Sequence, residues 1–490
     1  MKLKTKILKW SAGVPVAMLN EKTATKIGVH ANERILIVKD SKEFSTIVDT
    51  VGELIDEDEI AVSFELKNRL NLKHREFVDV SLGATPESMV FVTQKLNNKK
   101  LNQHQIYKII QDIVNNSLSE AEIALFVSAM YENGMSMHET IFLIKSILKL
   151  GKRLNLNHKF VVDKHSIGGI PGNRTTPIIV SICAAAGLIF PKTSSRAITS
   201  PAGTADVIET IARVEFSSKE LKSILKKTNA CLVWGGALDL APADDKIIHI
   251  EKLLKIDPEA QLLASIIAKK LAVGSNYILI DIPYGNGAKV SKEHALKLKK
   301  KFEYLGRYFK KKLICVLTDG SQPIGNGIGP ALEIRDVLKI LDPNQEGPRD
   351  LEDKSLFLSG KILEMTGKAE KGKGALKAME ILDSGEAFKK FKEIISAQSG
   401  NINKIPEARY KKDIFLKKSG KIIRIDNKLI TALARICGCP ADKSAGLYLY
   451  SHVGEELKKG DKLITIYTES KNRLNEAVSF FTNAKPIIIS

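Results

Sequence analysis

Residues 164–173 combine the chemical groups that hold an oxyanion. They read KHSIGGIPGN, so a lysine and a serine stand beside glycines that let the backbone approach a ligand closely. A short apolar run at residues 160–162 precedes them, and a helix predicted over residues 175–186 follows and ends at Gly187. We therefore predict a strand-to-helix turn whose backbone N–H groups bind phosphate. The stretch matches neither a Walker A loop nor the dinucleotide fingerprint, and an ordinary glycine-rich connection is the alternative.

A second polar stretch, residues 193–204, follows another short apolar run at residues 188–190. Hydroxyl side chains, one arginine and one glycine are crowded into it. Hydroxyls and backbone amides can bind phosphate oxygens, and Arg196 can form a charge-assisted fork. Together the two stretches could accommodate two phosphate groups. A serine- and threonine-rich start of a helix over residues 205–210 is the alternative.

Asp257 precedes a predicted helix whose polar side chains repeat every four residues. Gln261, Ser265 and Lys269 fall on one face of an otherwise apolar helix. An aspartate in this position is more often a plain helix cap than a catalytic acid. The polar stripe favours a site.

Lys289 is a further polar group after a predicted strand. The strand is predicted to end at Asp281, and a glycine turn at residues 284–288 follows it. Because ligands bind at the carboxyl ends of parallel strands, we expect Lys289 at the same edge of the sheet as the other stretches. A tight turn with an exposed lysine is the alternative.

Length and charge limit the class of protein. A chain of 490 residues predicts about three domains. The formal net charge of +19 favours anionic ligands or nucleic acid. Much of the excess lies in lysine runs such as residues 297–301, which are typical of a solvated helix face. Since nucleic-acid motifs are missing, we expect no nucleic-acid partner, and a basic nucleic-acid-binding protein is the alternative from another class.

The cysteines and the apolar runs indicate where the protein works. The five cysteines lack metal-site spacing, so we expect free thiols and no metal site. Cys437 and Cys439 are close enough in sequence that a disulfide is plausible in a hyperthermophile. No run approaches the ~20 apolar residues that span a bilayer. We therefore expect a soluble, cytoplasmic protein with no membrane partner.

The elements that must position these groups predict a multidomain α/β protein. Residues 1–84 alternate short apolar runs with turns, which indicates an N-terminal β-rich module. Residues 85–155 contain two capping boxes and apolar periodicity typical of a helical domain. Residues 156–418 alternate apolar strands with helices, which predicts a large, mostly parallel sheet covered by helices. Residues 419–490 predict a C-terminal α+β module.

The four polar stretches, in this order, resemble the thymidine and pyrimidine-nucleoside phosphorylase family, and more closely its archaeal branch, the AMP phosphorylases. Matching segments run from about Leu101 through the C-terminal module, and SRAITSPAGTAD at residues 195–206 looks like the signature of that branch. The β-rich module, absent from thymidine phosphorylases, is also similar to that of the AMP enzymes. The resemblance implies that the helical domain includes a later segment near residues 244–273, with the site between the helical and α/β domains.

The resemblance also implies an activity. It is phosphorolysis of AMP, and also of CMP and UMP, by inorganic phosphate to the free base and ribose 1,5-bisphosphate in nucleotide salvage. Such a pentosyltransferase uses AMP and phosphate with no cofactor. A homodimer or larger homo-oligomer is expected, with the N-terminal module building the larger assemblies.

Single residues take roles from the same resemblance. Asp257 looks like the proton donor to the leaving base, so it has to be protonated when it acts. The positions that match the phosphate site are Lys164, Ser166, Ser194 and Thr204. The positions that match the AMP contacts are Gly169, Ser195, Arg196, Ala197, Ile198, Thr199, Ser200, Thr204, Ser265 and Lys289.

Two departures separate the chain from the pyrimidine enzymes. His249 and Ile250 stand where those enzymes carry a base-reading arginine, and Ser200 with Pro201 replaces their histidine-threonine pair. A phosphorylase of unphosphorylated pyrimidine or purine nucleosides is the alternative function. A phosphoribosyltransferase that holds magnesium through residues 244–245 is a more distant one.

Overall fold

The chain divides into two compact units. The computed structural model describes residues 1–8, 15–40, 42–154, 156, 158–198, 200–238 and 240–490. Thr199, one of the predicted AMP contacts, lies outside these residues. The first unit comprises Met1–Lys152 and Ala241–Ala268, and the second comprises Arg153–Leu240 and Lys269–Ser490. In the part of the chain that the structure describes, no helix is long and apolar enough to cross a membrane.

Helices and strands alternate along most of the described chain. The helices are α1 (Glu21–Ile27), α2 (Phe64–Leu70), α3 (Ser88–Leu96), α4 (Gln103–Val114), α5 (Glu120–Asn133), α6 (Met137–Leu150), α7 (Thr175–Ala185), α8 (Thr204–Ile208), α9 (Ser218–Thr228), α10 (Pro242–Leu254), α11 (Glu259–Ala272), α12 (Lys292–Tyr308), α13 (Pro330–Leu341), α14 (Arg349–Thr366), α15 (Gly374–Asp383), α16 (Glu386–Ala397), α17 (Asn427–Cys437) and α18 (Lys471–Ala484). The strands are β1 (Lys2–Ile7), β2 (Ala17–Asn20), β3 (Arg34–Lys39), β4 (Lys42–Val51), β5 (Glu59–Val62), β6 (Phe77–Leu82), β7 (Val162–Ser166), β8 (Phe190–Ser194), β9 (Ala230–Trp234), β10 (Tyr277–Tyr284), β11 (Lys312–Asp319), β12 (Gly327–Ile328), β13 (Tyr410–Phe415), β14 (Gly420–Ile425), β15 (Gly446–Leu449), β16 (Glu456–Leu457), β17 (Lys462–Thr468) and β18 (Ile487–Ile489).

The first unit begins with a closed β-barrel. Its strands are neighbours in the order β1, β5, β2, β4, β3, β6, with β6 returning to β1. Along β3 every second side chain is buried, as expected for a sheet that packs one face on its core. Closure pairs the backbone of every strand and leaves no open edge. The apolar runs at the start of the sequence therefore fold into a barrel.

Helices α3 to α6 follow the barrel in the same unit. Ser119 and Ser136 begin α5 and α6 with the predicted capping boxes, each accepting the N–H of the glutamate three residues on. Helix α10 packs against α4, α5 and α6. There Lys246 donates to the carbonyl of Ile113 at 2.7 Å. A later segment of the chain thereby completes the helical part of the first unit.

The second unit contains the parallel strands that carry the polar stretches. Strand β10 pairs in parallel with β7 on one side and β11 on the other, and β8 pairs in parallel with β9. A parallel bridge between Val161 and Ile189 joins the two groups of strands. Helices α7, α14 and α16 pack together in the core of this unit, and α12 packs on β10 and β11. Parallel pairing, as predicted, brings the carboxyl ends of these strands to one edge.

The end of the chain adds antiparallel sheets and two helices to the second unit. Strands β12, β15, β17 and β13 form one sheet, and β16, β14 and β18 another. Strand β13 lies upstream of residue 419, where we predicted the boundary of the C-terminal module, and pairs with β17. Cys437 and Cys439 are buried free thiols.

A buried ion pair between α3 and α6 gives a test of the helical part. The ammonium of Lys95 lies 3.1 Å from Oε1 of Glu139, and both side chains are 3% exposed. Glu139→Ala leaves that ammonium buried without its partner, so we expect a loss of about 3–5 kcal/mol of stability. The measurement is the thermal unfolding transition of the first unit. Glu120→Ala removes a carboxylate that is 73% exposed and should have little effect; equal transitions for the two variants would contradict the prediction.

Candidate active site

The turn between β7 and α7 brings two predicted site residues together. Strand β7 ends at Ser166, so Lys164 lies inside the strand rather than in the turn where we predicted it. Gly169 has φ +90°, and a Cβ atom there would lie 3.1 Å from Cβ of Lys289. Gly172 has φ +72°, and a Cβ atom there would lie 2.2 Å from the carbonyl oxygen of Ile324. Glycine is thus required for the close approach of this turn to its neighbours.

Lys164 is a buried cation in the middle of β7, two residues before the end of the strand. Its side chain is 1% exposed, and its Nζ donates to Oγ1 of Thr175, the first residue of α7, at 2.8 Å. Burial lowers the pKa of Lys164 to about 8, although the neighbouring Asp281 acts in the opposite direction. Lys354, Arg174 and Lys270 lower the pKa further because they are also positive. The group needs negative charge nearby to remain protonated.

Asp281 supplies part of that negative charge. It is fully buried on β10, and its Oδ1 accepts a hydrogen bond from Oγ1 of Thr318 at 2.6 Å. Its Oδ2 lies 3.5 Å from Nζ of Lys354 and 4.0 Å from Nζ of Lys164. Burial raises the pKa of the Asp281 carboxyl, but the two lysines and the hydrogen bonds outweigh this and hold it below its usual range. One carboxylate therefore serves two ammonium groups.

Arg174 fixes the start of α7 against the second polar stretch. Its Nε donates to Oε2 of Glu333 at 2.7 Å, and its other nitrogens donate to Oγ1 of Thr204 at 2.7 Å and to the carbonyl of Ala202 at 2.8 Å. Glu333 is 1% exposed and also accepts the N–H of Gly329. Thr204, which we predicted to bind both ligands, is thereby held beside the turn that follows β7.

A second carboxylate, Asp163, is shared by two further lysines. Nζ of Lys270 lies 2.9 Å from one of its oxygens, and Nζ of Lys192 lies 3.5 Å from the other. Burial lowers the pKa of Lys270 to about 7, with Asp163 opposing and Lys192 adding to the effect. Burial, and then Lys270 and Lys192, also hold the pKa of His165 well below its usual range, so its ring is neutral at neutral pH.

These groups form a buried cluster with an excess of positive charge, which we call the cation cluster. Its cations are Lys164, Arg174, Lys192, Lys270 and Lys354, and its carboxylates are Asp163, Asp281 and Glu333. Buried charges are costly unless they are paired. Several buried donor groups of the same part of the described structure have no hydrogen-bond partner, namely Oγ1 of Thr193, Oγ of Ser194 and Nζ of Lys354. The arrangement suits an anion with several acceptor oxygens, such as phosphate.

The loop after β8 is held in shape by Asp206. One oxygen of this buried carboxylate accepts the N–H groups of Ala197 and Gly203 at 2.7 and 2.8 Å. A Cβ atom at Gly203 would lie 2.4 Å from the carbonyl oxygen of Ser195, so the loop closes only with glycine there. Oγ of Ser200 donates to the carbonyl of Ala202 at 2.8 Å. The predicted AMP-contact loop is thus a compact, preformed turn in its described residues.

Arg196 makes its fork with a carboxylate of the protein. Its two terminal nitrogens donate to the two oxygens of Glu209, each at 2.7 Å, and its guanidinium lies 4.8 Å from the ring of Trp234. Glu209 also receives Lys443 at 2.6 Å. The hydrogen bonds from Arg196 are the main reason that the pKa of Glu209 is lowered, to about 2. Contact of Arg196 with a phosphate remains a prediction.

Basic residues from the C-terminal part of the chain also contact this loop and the helix that follows it. Arg435 of α17 donates to the carbonyl of Ile198 at 2.9 Å. With Lys443 it links the last part of the chain to the loop after β8. The sequence did not indicate this link, because the partners are more than 200 residues apart.

The first unit holds the remaining predicted residues. Helix α11 begins at Glu259, two residues after Asp257. Gln261 and Ser265 donate to the two oxygens of the buried Asp244, at 2.7 and 2.9 Å. The polar stripe therefore converges on Asp244, which we considered a magnesium ligand in the phosphoribosyltransferase alternative. His249 lies on α10 with Nε2 3.6 Å from the carboxylate of Glu120.

Asp206 provides a test of the preformed loop. Asp206→Asn replaces an oxygen that accepts two backbone N–H groups with a neutral amide. Hydrogen bonds to charged groups contribute roughly 1.5–3 kcal/mol, so we expect amide exchange at Ala197 and Gly203 to accelerate about tenfold or more. Hydrogen exchange followed by mass spectrometry measures this. Asp342→Asn, at a partly buried residue directly after α13, is the control, and unchanged exchange in the Asp206 variant would show that the carboxylate does not hold the loop.

Family models match three parts of the chain. The helical bundle domain of the glycosyl transferase family matches residues 90–151, and the a/b domain of that family matches residues 158–388. The pyrimidine nucleoside phosphorylase C-terminal domain matches residues 422–487. The structure of anthranilate phosphoribosyltransferase from Thermus thermophilus is similar with a TM-score of 0.53 and 17% identity, over 63% of this chain and 99% of that one. At that identity the likeness concerns the fold alone.

Relatives that match over the whole length of the chain identify its family more closely than the domain matches do. The AMP phosphorylases of Pyrococcus furiosus and Thermococcus kodakarensis are each 43% identical to the chain, over 100% of its length and 98% of theirs. That of Methanococcus vannielii is 40% identical over 99% of this chain and 97% of its own. With this identity over almost all of both chains, and with the resemblance seen in the polar stretches, the chain belongs to the AMP phosphorylase family.

Proposed function

We propose that this chain catalyses the phosphorolysis of AMP by inorganic phosphate, with release of adenine and formation of ribose 1,5-bisphosphate. CMP and UMP are proposed as further substrates. The relatives that match over the whole chain are AMP phosphorylases from several archaea. The activity is that of a pentosyltransferase, in agreement with the match to the glycosyl transferase family.

The observation in the structure that carries the proposal is the excess positive charge of the cation cluster. Phosphorolysis needs a site that attracts a small, highly charged nucleophile and removes it from water. Buried ammonium groups that outnumber their carboxylates provide such a site. The first turn of α7, with its N–H groups at the same place, adds the positive end of the helix dipole.

Lys164, Ser166, Ser194 and Thr204 are proposed to bind the phosphate that attacks. One phosphate oxygen forms a bond to the anomeric carbon of the ribose while the bond from that carbon to the base nitrogen breaks. The electron pair of the broken bond stays on the base, which takes a proton from Asp257. Binding of the nucleophile and protonation of the leaving group both lower the barrier.

The residues that contact the nucleotide are proposed from the sequence. Backbone and hydroxyl groups of the loop at residues 195–200 are proposed to bind AMP, with Gly169 and Thr204. Ser265 and Lys289 complete the proposed set. The compact loop and the packing of Gly169 against Lys289, too close for a Cβ atom at residue 169 without displacement, support a preformed surface for this substrate. Assembly as a homodimer or larger homo-oligomer, and the cytoplasmic location, stay predictions.

Asp257 gives the direct test of the reaction. The assay measures phosphate-dependent release of adenine from AMP, beside CMP, UMP and the unphosphorylated nucleosides. We expect Asp257→Asn to lower kcat about 10²- to 10⁴-fold, since it removes the general acid, with a small change in KM. Asp58→Asn, an exposed carboxylate of the barrel, is the matched control. Faster turnover of adenosine than of AMP would overturn the substrate, and full activity of Asp257→Asn would overturn the role of the acid.

The pKa of Lys164 leads to a prediction about how activity with phosphate depends on pH. Because the pKa of Lys164 is about 8, its ammonium loses the proton as pH rises through that value, and attraction for phosphate falls. We expect kcat/KM for phosphate, which reports the free enzyme, to decline above about pH 8. Lys164→Arg keeps its charge at high pH and should move the decline upward. A decline at the same pH in that variant would assign it to another group.

A further inference from the structure

Helix α14 places Lys354 in the cation cluster. The helix packs against β10 and α7, the two elements that carry Asp281 and Thr175. The side chain of Lys354 is 8% exposed, although a lysine normally keeps its ammonium in water. The sequence around this residue contains no glycine turn and no motif that indicates a role for it.

The ammonium of Lys354 lacks a hydrogen bond in the described structure. Its approach to Asp281 is 3.5 Å, whereas charge-assisted hydrogen bonds between ammonium and carboxylate are about 2.7–2.9 Å long. The carboxylate is meanwhile oriented by its bond from Thr318. A buried donor left in this state is costly, so a resting ion pair does not account for its position.

The two ammonium groups near Asp281 share one oxygen. Lys354 and Lys164 lie 3.5 and 4.0 Å from its Oδ2, so both are held within a short distance of one point. An oxyanion with several oxygens can accept a charge-assisted bond from each. Asp281 then keeps the two cations together in the absence of the ligand.

The charges around Lys354 leave an excess of cations. Asp281 balances one of its two lysines, Asp163 balances one of Lys192 and Lys270, and Glu333 balances Arg174. One positive charge is therefore left beside Asp281, and another is left beside Asp163 only while Lys270, whose pKa is about 7, keeps its proton. Inorganic phosphate is an anion near neutral pH and can balance this excess.

We propose that Lys354 binds the attacking inorganic phosphate together with Lys164, opposite the first turn of α7. The inference rests on the proposed function for its role in the reaction, but its binding step can be measured without turnover. It adds a residue from a distant helix to a phosphate site that is otherwise built from the ends of β7 and β8 and the start of α8.

The experiment compares Lys354→Met, Lys354→Arg and a control from the same helix, Lys361→Met. Lys361 is 35% exposed and pairs with Glu364 at 3.2 Å, outside the cation cluster. Three quantities are measured for each protein: KM for phosphate, KM for AMP, and the rise in thermal midpoint caused by inorganic phosphate alone.

We expect Lys354→Met to raise KM for phosphate by about ten- to hundredfold with a small change in KM for AMP, and to abolish most of the thermal shift. Lys354→Arg should restore part of both, and Lys361→Met should match the wild type. A lower midpoint with KM for phosphate and the phosphate shift unchanged would show that Lys354 only supports Asp281, and would overturn the inference. A rise confined to KM for AMP would also overturn it, since it would place Lys354 at the nucleotide. If the wild-type protein released no adenine but showed a thermal shift with phosphate, and Lys354→Met lacked that shift, the inference would stand and the proposed function would be wrong.

Discussion

The structure of the second unit depends on a group of buried lysines that outnumber the carboxylates paired with them. Asp281 and Asp163, on two adjacent parallel strands, each serve two ammonium groups. Full pairing would give a stable and inert core, while no pairing would be too costly to fold. The partial balance keeps the cations in place and leaves positive charge for a ligand. The glycine turn after β7 and the start of α7 have to approach this point closely, which accounts for their backbone conformation.

The loop after β8 shows how the structure surrounds that charge. Asp206 fixes it from within, Arg174 fixes its end at Thr204, and Arg435 reaches it from the C-terminal part of the chain. Each contact uses a charged side chain and a backbone or hydroxyl group. Binding groups held in this way lose little freedom when a substrate arrives, so more of the contact energy is available for affinity.

The sequence predicted the parts of the site that are local in the chain. Residues 164–173 and 193–204 were recognised because glycine, hydroxyl and basic residues lie together, and the capping serines of α5 and α6 because their partners are three residues away. The extent of β7 was underestimated, since Lys164 and Ser166 have no apolar signature of a strand. Arg174, Asp281 and Lys354 were missed as a group because their partners come from distant helices and strands. Glu209 follows Arg196 by only 13 residues, yet nothing in the sequence showed that it would take the fork predicted for phosphate.

The unequal numbers of buried cations and carboxylates also set a limit on how the protein can be improved for heat resistance. An apolar side chain of similar size in place of one of the two lysines at Asp281 or at Asp163 would remove the repulsion between them and leave the carboxylate paired, so we expect such a replacement to be neutral or stabilising. Selection for a folded, heat-resistant chain alone would therefore tend to discard these lysines, and only selection for catalysis would retain them. In this family, unusually high stability of a variant that has lost lysines at the strand ends would be a sign of lost function.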